Sequence, residues 1–251
     1  MPNTHTIIGT GPLKVIVLPG WFGDATALAP MECALSRNEF TYVVMDYRGY
    51  GGMKRAKGDY TMDEIAMDTL ALADSLGFST FALVGHSMGG KAIQRVLTLQ
   101  PERVRKLVAI TPVPASAVPF DENGWALFAG AADKRENRYA IIDYTTGGGR
   151  SPAWIHAMVD HSLEHSSRDA FAAYLQAWAK EDFSELVHGF TQPVQVIVGE
   201  NDPALDATLM QSTFLKWYPN ATLETIRNAG HYPMNETPVA LATTIERFLR
   251  H

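Results

Sequence analysis

Apolar residues in this chain gather into short unbroken runs bounded by turn residues. Lys14-Val-Ile-Val-Leu18, Thr41-Tyr-Val-Val-Met45, Phe81-Ala-Leu-Val84, residues 104–110 and Pro193-Val-Gln-Val-Ile-Val198 read as strands buried on both faces, the habit of parallel sheets. Thr6-Ile-Ile and residues 222–226 add two shorter candidates. Between the runs lie stretches of helical periodicity at 25–35, 61–76, 88–99, 205–217 and 239–249. Asp24 is placed to cap the first, and Thr61 with Glu64 three residues on forms a capping box for the second. Strand–helix alternation predicts an α/β fold with a mostly parallel, doubly wound sheet.

The rhythm breaks between residues 113 and 190. There the chain offers no strong strand, only helical pieces around Trp125, Trp154 and Trp178, interrupted by Gly147-Gly-Gly-Arg-Ser151. A helical insertion between two strands of one sheet is expected to form a cap, residues 113–190, over a core of residues 1–112 and 191–251. The glycine triplet lacks the G-x-x-x-x-G-K-[ST] frame of a phosphate loop and reads as a flexible joint between cap helices. Trp125, Phe128, Trp154, Met158, Phe171, Tyr174 and Trp178 would give the cap an apolar inner surface, with Phe22, Trp125, Trp154 and Trp178 as candidate substrate contacts.

One strand ends in chemistry. Gly85-His-Ser-Met-Gly89 fits G-x-S-x-G, the turn that lifts a serine clear of a sheet between a strand and a helix. Chance would produce ~0.1 such patterns in a chain of this length at average glycine usage. A serine hydroxyl at neutral pH needs a base, and the base needs an orienting acid, both on loops at the same end of the sheet. Of eight histidines, His5 precedes the sheet, His86 is expected to point away as the serine's neighbour, and His251 is terminal. His156, His161, His165 and His188 fall in the insertion. His231 alone follows a late strand, in Asn228-Ala-Gly-His-Tyr-Pro233.

The acid comes from Gly199-Glu-Asn-Asp-Pro-Ala204, as Asp202 or Glu200, with the rigid Asp202-Pro203 turn favouring Asp202. Asp46 also ends a strand but precedes the serine, and reads as holding its own loop through Arg48. For an oxyanion, the amide of Met88 at a helix start is one donor; the loop Pro19-Gly20-Trp21-Phe22 offers the second, Trp21 first and Phe22 as the alternative.

Taken together, Gly85-His-Ser-Met-Gly89, Asp46-Tyr-Arg-Gly-Tyr-Gly51, Gly199-Glu-Asn-Asp202 and Gly230-His231 with Glu236 and Pro238 resemble the α/β-hydrolase-fold serine hydrolases, of the small capped type related to esterases and lactonases. The resemblance spans essentially the whole chain and implies a triad of Ser87, Asp202 and His231 with oxyanion donors Trp21 and Met88. It implies a carboxylesterase-like activity on a small to medium ester or lactone. The same triad could also cleave a carbon–carbon bond or pass an acyl group to peroxide, and the fold is reused in ligand receptors. Relatives that dehalogenate or open epoxides carry aspartate at the elbow, where this chain has Ser87. The family usually has His-Gly where this chain has Pro19-Gly20, and the N-terminal region is short enough for a leading strand to be reduced.

Composition narrows the partners. Of 251 residues, 46% are apolar and 19% charged, as in ordinary globular domains, and a net charge of −6 with no basic run gives no nucleic-acid footprint. No apolar stretch approaches membrane-spanning length and the N-terminus lacks a signal pattern, so the expected location is cytoplasmic. A homodimer is compatible with these features. Cys33 is the only cysteine, so no internal disulfide forms, and it reads as a buried structural thiol. His161 and His165, four apart around Glu164, make half a metal site at most. HExxH is absent, and the expectation is a polar outer helix face with no metal and no cofactor.

Overall fold

The computed structural model describes residues 2–251. Seven strands form one sheet: β1 (His5–Ile8), β2 (Leu13–Leu18), β3 (Phe40–Met45), β4 (Phe81–His86), β5 (Val104–Ile110), β6 (Val194–Gly199) and β7 (Ala221–Ile226). Their order is β1-β3-β2-β4-β5-β6-β7, with every neighbour parallel except β1, which runs antiparallel to β3. The leading strand is therefore present, though only four residues long. All six residues of β3 and all six of β6 are buried, which explains why the runs show no alternation.

The helices are α1 (Met62–Ser75), α2 (Met88–Leu99), α3 (Glu122–Gly130), α4 (Arg135–Thr145), α5 (Pro152–His165), α6 (Arg168–Lys180), α7 (Ser184–Val187), α8 (Ala207–Ser212), α9 (Phe214–Trp217), α10 (Pro233–Glu236) and α11 (Pro238–Arg250). None is long and apolar enough to cross a membrane among the described residues. Thr61 accepts from the Glu64 amide as expected of a cap, while the Glu64 carboxylate reaches further back, to the Asp59 and Tyr60 amides.

Two predicted helices come out differently. Residues 25–35 contain only a 3-10 helix, Ala29–Ala34. Asp24 does not cap it: its Oδ1 accepts from the Thr26 amide and hydroxyl, closing a local turn instead. The stretch 205–217 splits into α8 and α9 at Thr213, whose backbone leaves the helical region, with Asp206 capping α8 through the Leu209 amide. Cys33 is exposed rather than buried, because the 3-10 turn carries it outward.

Helices α3 to α7 all lie between β5 and β6. Both ends of this insertion are held by one side chain. Lys91, fully buried on α2, donates from Nζ to the carbonyls of Ser116 and Trp178, each at 3.0 Å, and to that of Glu181. Burial pushes its ammonium down to about 8, against the pull of Glu181 and Asp182. Inside the insertion, buried Arg138 on α4 donates to the Ala131 carbonyl and the Ser162 hydroxyl, and its guanidinium lies 3.6 Å over the Phe171 ring. The insertion is thus packed around cationic groups that mostly face carbonyls and aromatic rings.

Candidate active site

Ser87 sits at the C-terminal end of β4, the middle strand of the sheet, with φ 53° and ψ −116°. That conformation costs a non-glycine residue on the order of 1–3 kcal/mol. It persists because the surroundings fix it: the Ser87 amide donates to Ile110, and its carbonyl accepts from Gly90 and Val113. The flanking glycines follow from sheer proximity. A Cβ on Gly85 would lie 2.3 Å from the Gly89 carbonyl oxygen, and one on Gly89 only 2.0 Å from that of Leu18.

Ser87 opens onto a cavity of about 850 Å³, and His231 lines the same cavity. His231 Nδ1 lies 2.7 Å from Asp202 Oδ2. The carboxylate can only accept, so Nδ1 carries a proton, and Nε2 is the ring nitrogen left free of the aspartate. Asp202 is buried, which pushes its carboxyl up. The adjacent His231 and the Ala204 and Leu205 amides outweigh that and hold it below the usual range.

The His231 loop is braced on every side. Its amide donates to the Thr145 carbonyl, and its own carbonyl accepts from His86 Nε2 at 2.8 Å and Thr111 Oγ1 at 3.0 Å. Glu236 takes the amides on either side, Gly230 on Oε2 and Tyr232 on Oε1, and is itself paired with Arg150 at 2.6 Å. His86 therefore does not point away from the site, as its place beside the serine suggested. Its ring stands in the cavity wall, within 5.0 Å of the His231 ring.

The bond to the His231 carbonyl makes His86 Nε2 a donor. Burial, with His231 close by, pushes its imidazole down to about 3 from an ordinary 6.5. Between those values the unfolded chain binds a proton that the folded chain refuses, so stability is lost as pH falls from about 6.5 towards 3. His86→Gln, which keeps a donor but cannot titrate, is expected to flatten that part of the profile; urea midpoints at pH 7 and 4.5 measure it.

The loop facing the serine answers the question raised by Pro19. A Cβ on Gly20 would meet His86 Nδ1 at 2.6 Å and Ser87 Cβ at 3.2 Å, so the backbone lies directly against the elbow. Two hydroxyls from the Asp46-Tyr-Arg-Gly-Tyr-Gly51 segment fix it: Tyr47 donates to the Pro19 carbonyl at 2.7 Å and Tyr50 to the Trp21 carbonyl at 3.0 Å. The Trp21 ring is pinned too, stacking on Phe171 and donating from Nε1 to its carbonyl. Among the described residues, nothing accepts from the backbone amides of Trp21 or Met88. Asp46 holds its loop, but not through Arg48. It accepts from Ala25, Thr4 and Gly52, while Arg48 pairs with Asp68 and Glu64.

Of the predicted substrate contacts, Phe22 and Trp178 line the cavity and Trp125 and Trp154 do not. Trp125 packs edge-on to Phe120 beneath Lys180, and Trp154 packs on Tyr232. The wall is completed instead by Phe120, Leu127, Phe128, Ile141, Leu205 and Leu209. His161 and His165 are not on an open polar face; both turn onto Asp24.

A family profile of the alpha/beta hydrolase fold matches residues 14–238. The chain belongs to the α/β-hydrolase family. This α/β-hydrolase is 30% identical over 242 residues to a Haemophilus influenzae protein named as an esterase/lipase, covering 94% of this chain and 82% of the relative. It is 23% identical to 3-oxoadipate enol-lactonase 2 of Acinetobacter baylyi, over 98% and 92% of the two chains. Among solved structures it superposes on a hydrolase from Oleispira antarctica with a TM-score of 0.88 at 18% identity, over 99% and 95%. The α/β-hydrolase is an esterase-like enzyme.

Proposed function

We propose that the chain hydrolyses carboxylic esters of small to medium apolar acids through an acyl-enzyme on Ser87. The observation that carries this reading is the shared cavity: an elbow serine and a histidine, the latter's Nδ1 held by a buried aspartate, open onto one apolar chamber. His231 Nε2 takes the Ser87 proton as Oγ attacks the carbonyl carbon. The Trp21 and Met88 amides then stabilise the oxyanion, helped by the positive end of α2. The protonated imidazole, balanced by Asp202, returns its proton to the leaving alcohol, and water repeats the cycle on the ester.

The inserted helices act as a cap over the serine and supply much of the acyl pocket. Phe22, Phe120, Phe128, Ile141, Leu205 and Leu209 suit a hydrocarbon chain. Among the described residues, none that lines the cavity is Lys or Arg. A substrate bearing free carboxylates, of the kind named for the Acinetobacter relative, would meet no counter-charge there, so neutral esters fit better than acidic lactones.

A panel of p-nitrophenyl esters from acetate to decanoate, with neutral and acidic lactones alongside, tests this. Many turnovers are expected, with kcat/KM rising from acetate to medium chains, where each added methylene is worth up to ~0.8 kcal/mol of burial, and low activity on the acidic lactones. A single slow turnover would point instead to a receptor, and flat or absent hydrolysis would overturn the reading.

A further inference from the structure

The cluster of Asp24, His161 and His165 lies outside the catalytic cavity, at the seam between the helical insertion and the sheet. Asp24 follows β2 and the loop Pro19-Gly20-Trp21-Phe22-Gly23, whereas both histidines come from the last two turns of α5. The spacing His161-Ser-Leu-Glu-His165 puts the rings one helical turn apart on one face, and they stack with centroids 4.1 Å apart. Asp24 Oδ2 lies 2.6 Å from His165 Nδ1 and 3.4 Å from His161 Nε2. One donor atom from each residue falls within a 4.8 Å group.

Three features set this apart from an ordinary surface contact. Asp24 is only 2% exposed, yet among the described residues no lysine or arginine pairs with it. A buried carboxylate demands a cation or a dense set of donors. Its other oxygen is already oriented by the Thr26 amide at 2.8 Å and the Thr26 hydroxyl, the kind of outer support that fixes a metal-ligating carboxylate. A pocket of about 360 Å³, bordered by Asp24, His165, Glu164, Asp46 and His5, adjoins the cluster and leaves room for water ligands.

We propose that Asp24, His161 and His165 bind a divalent transition-metal ion of the zinc class, which locks α5 of the insertion onto the loop that faces Ser87. Two imidazoles and one carboxylate are a donor set such ions favour over magnesium or calcium. A tetrahedral ion about 2.1 Å from each donor sets neighbouring donors about 3.4 Å apart. The His161–Asp24 separation already has that value. The His165–Asp24 separation is a hydrogen-bond length, so the His165 ring must retreat by under an ångström as the ion replaces the bridging proton. The site is placed to matter: the same end of α5 meets the core through a Tyr50–Ser166 bridge, the Ser167 amide on the Gly49 carbonyl, and Lys54 on the Glu164 carbonyl. A metal there adds a strong crosslink at an end of α5 whose named polar links to the core are single hydrogen bonds.

The test uses the full-length chain, free of any affinity tag and stripped with a chelator, titrated with zinc chloride by calorimetry and with cobalt by its visible absorption. One equivalent of zinc is expected to bind, with a rise in melting temperature that the chelator reverses, and cobalt should give the intense bands of a four-coordinate site. His161→Gln and His165→Gln, at rings only about a third exposed, should each weaken zinc at least tenfold and abolish the melting shift. Asp24→Asn, which keeps the shape and removes the charge, should do the same, while His188→Gln should not. Stoichiometric binding that survives His161→Gln and His165→Gln together would overturn the proposal. So would a parent chain that takes up no zinc and whose seam responds to protons alone.

Discussion

Ser87→Ala is expected to lower kcat on the best p-nitrophenyl ester by between about ten-thousand-fold and a million-fold, with little change in the binding of a non-hydrolysable ester analogue. The lost oxygen is the proposed nucleophile, and no neighbouring group can replace it: His86 is turned onto a carbonyl, and His231 without the hydroxyl has only water to activate. The fold should be untouched, because alanine meets the positive φ with the same Cβ that serine carries. Ser87→Gly should even stabilise the chain by ~1 kcal/mol by relieving that strain, while being equally inactive. Mass spectrometry of the parent after a fluorophosphonate should show one adduct on the Ser87 peptide, absent from both variants. Hydrolysis by Ser87→Ala at anything near the parent rate would remove the acyl-enzyme from the mechanism.

What could be read from the sequence, and what could not, divides along a physical line. Strands were legible because a parallel sheet covered on both faces forces whole runs such as Tyr42-Val-Val-Met45 to be apolar. The elbow was legible because atoms too close for any Cβ leave glycine no substitute at 85 and 89. Asp202 and His231 were legible as candidates because turn residues place them just past strand ends, and they do meet at 2.7 Å.

Residues that act through tertiary contact left no such mark. His86 looks like a spectator until the His231 carbonyl arrives from far along the chain, and only then is it a brace. The tyrosines of Asp46-Tyr-Arg-Gly-Tyr-Gly51 could be noticed but not assigned, since their targets are carbonyls of another loop. Trp125 and Trp154 carry the apolar character that a pocket wall needs, whereas the wall itself is decided by how short helices rotate. On α3 it is Leu127 and Phe128 that reach the cavity, while Trp125 turns to Phe120 and Lys180. Asp24 was misread for the opposite reason: a strong local signal, an aspartate before a helical stretch, was answered locally by Thr26 and globally by two histidines of α5.

Gly89→Ala is expected to be among the most damaging single-methyl changes in the chain, costing several kcal/mol and, in the fraction that still folds, most of the activity. The added Cβ would sit 2.0 Å from the Leu18 carbonyl oxygen and 2.6 Å from that of Pro19. Both are backbone atoms, one ending the buried strand β2 and the other opening the loop that faces Ser87, so no flexible side chain can absorb the overlap. Overpacking a core ordinarily costs about 1–3 kcal/mol, and more where neighbours cannot move. Relief requires α2 to lift from the sheet or the Pro19–Trp21 loop to retreat. The first loosens the turn that holds Ser87, and the second strains the Tyr47 and Tyr50 hydrogen bonds and carries the Trp21 amide away from its proposed place beside the oxyanion. Gly77→Ala is the matched control, since nothing lies within 4 Å of its added carbon and only its φ of 69° is strained. It should cost ~1–2 kcal/mol with kcat unchanged. Urea unfolding of the two variants, followed by kcat on whatever remains folded, separates the effects. A Gly89→Ala chain as stable and as active as Gly77→Ala would mean that strand, elbow and the Pro19–Trp21 loop are not packed as tightly as their backbone distances require.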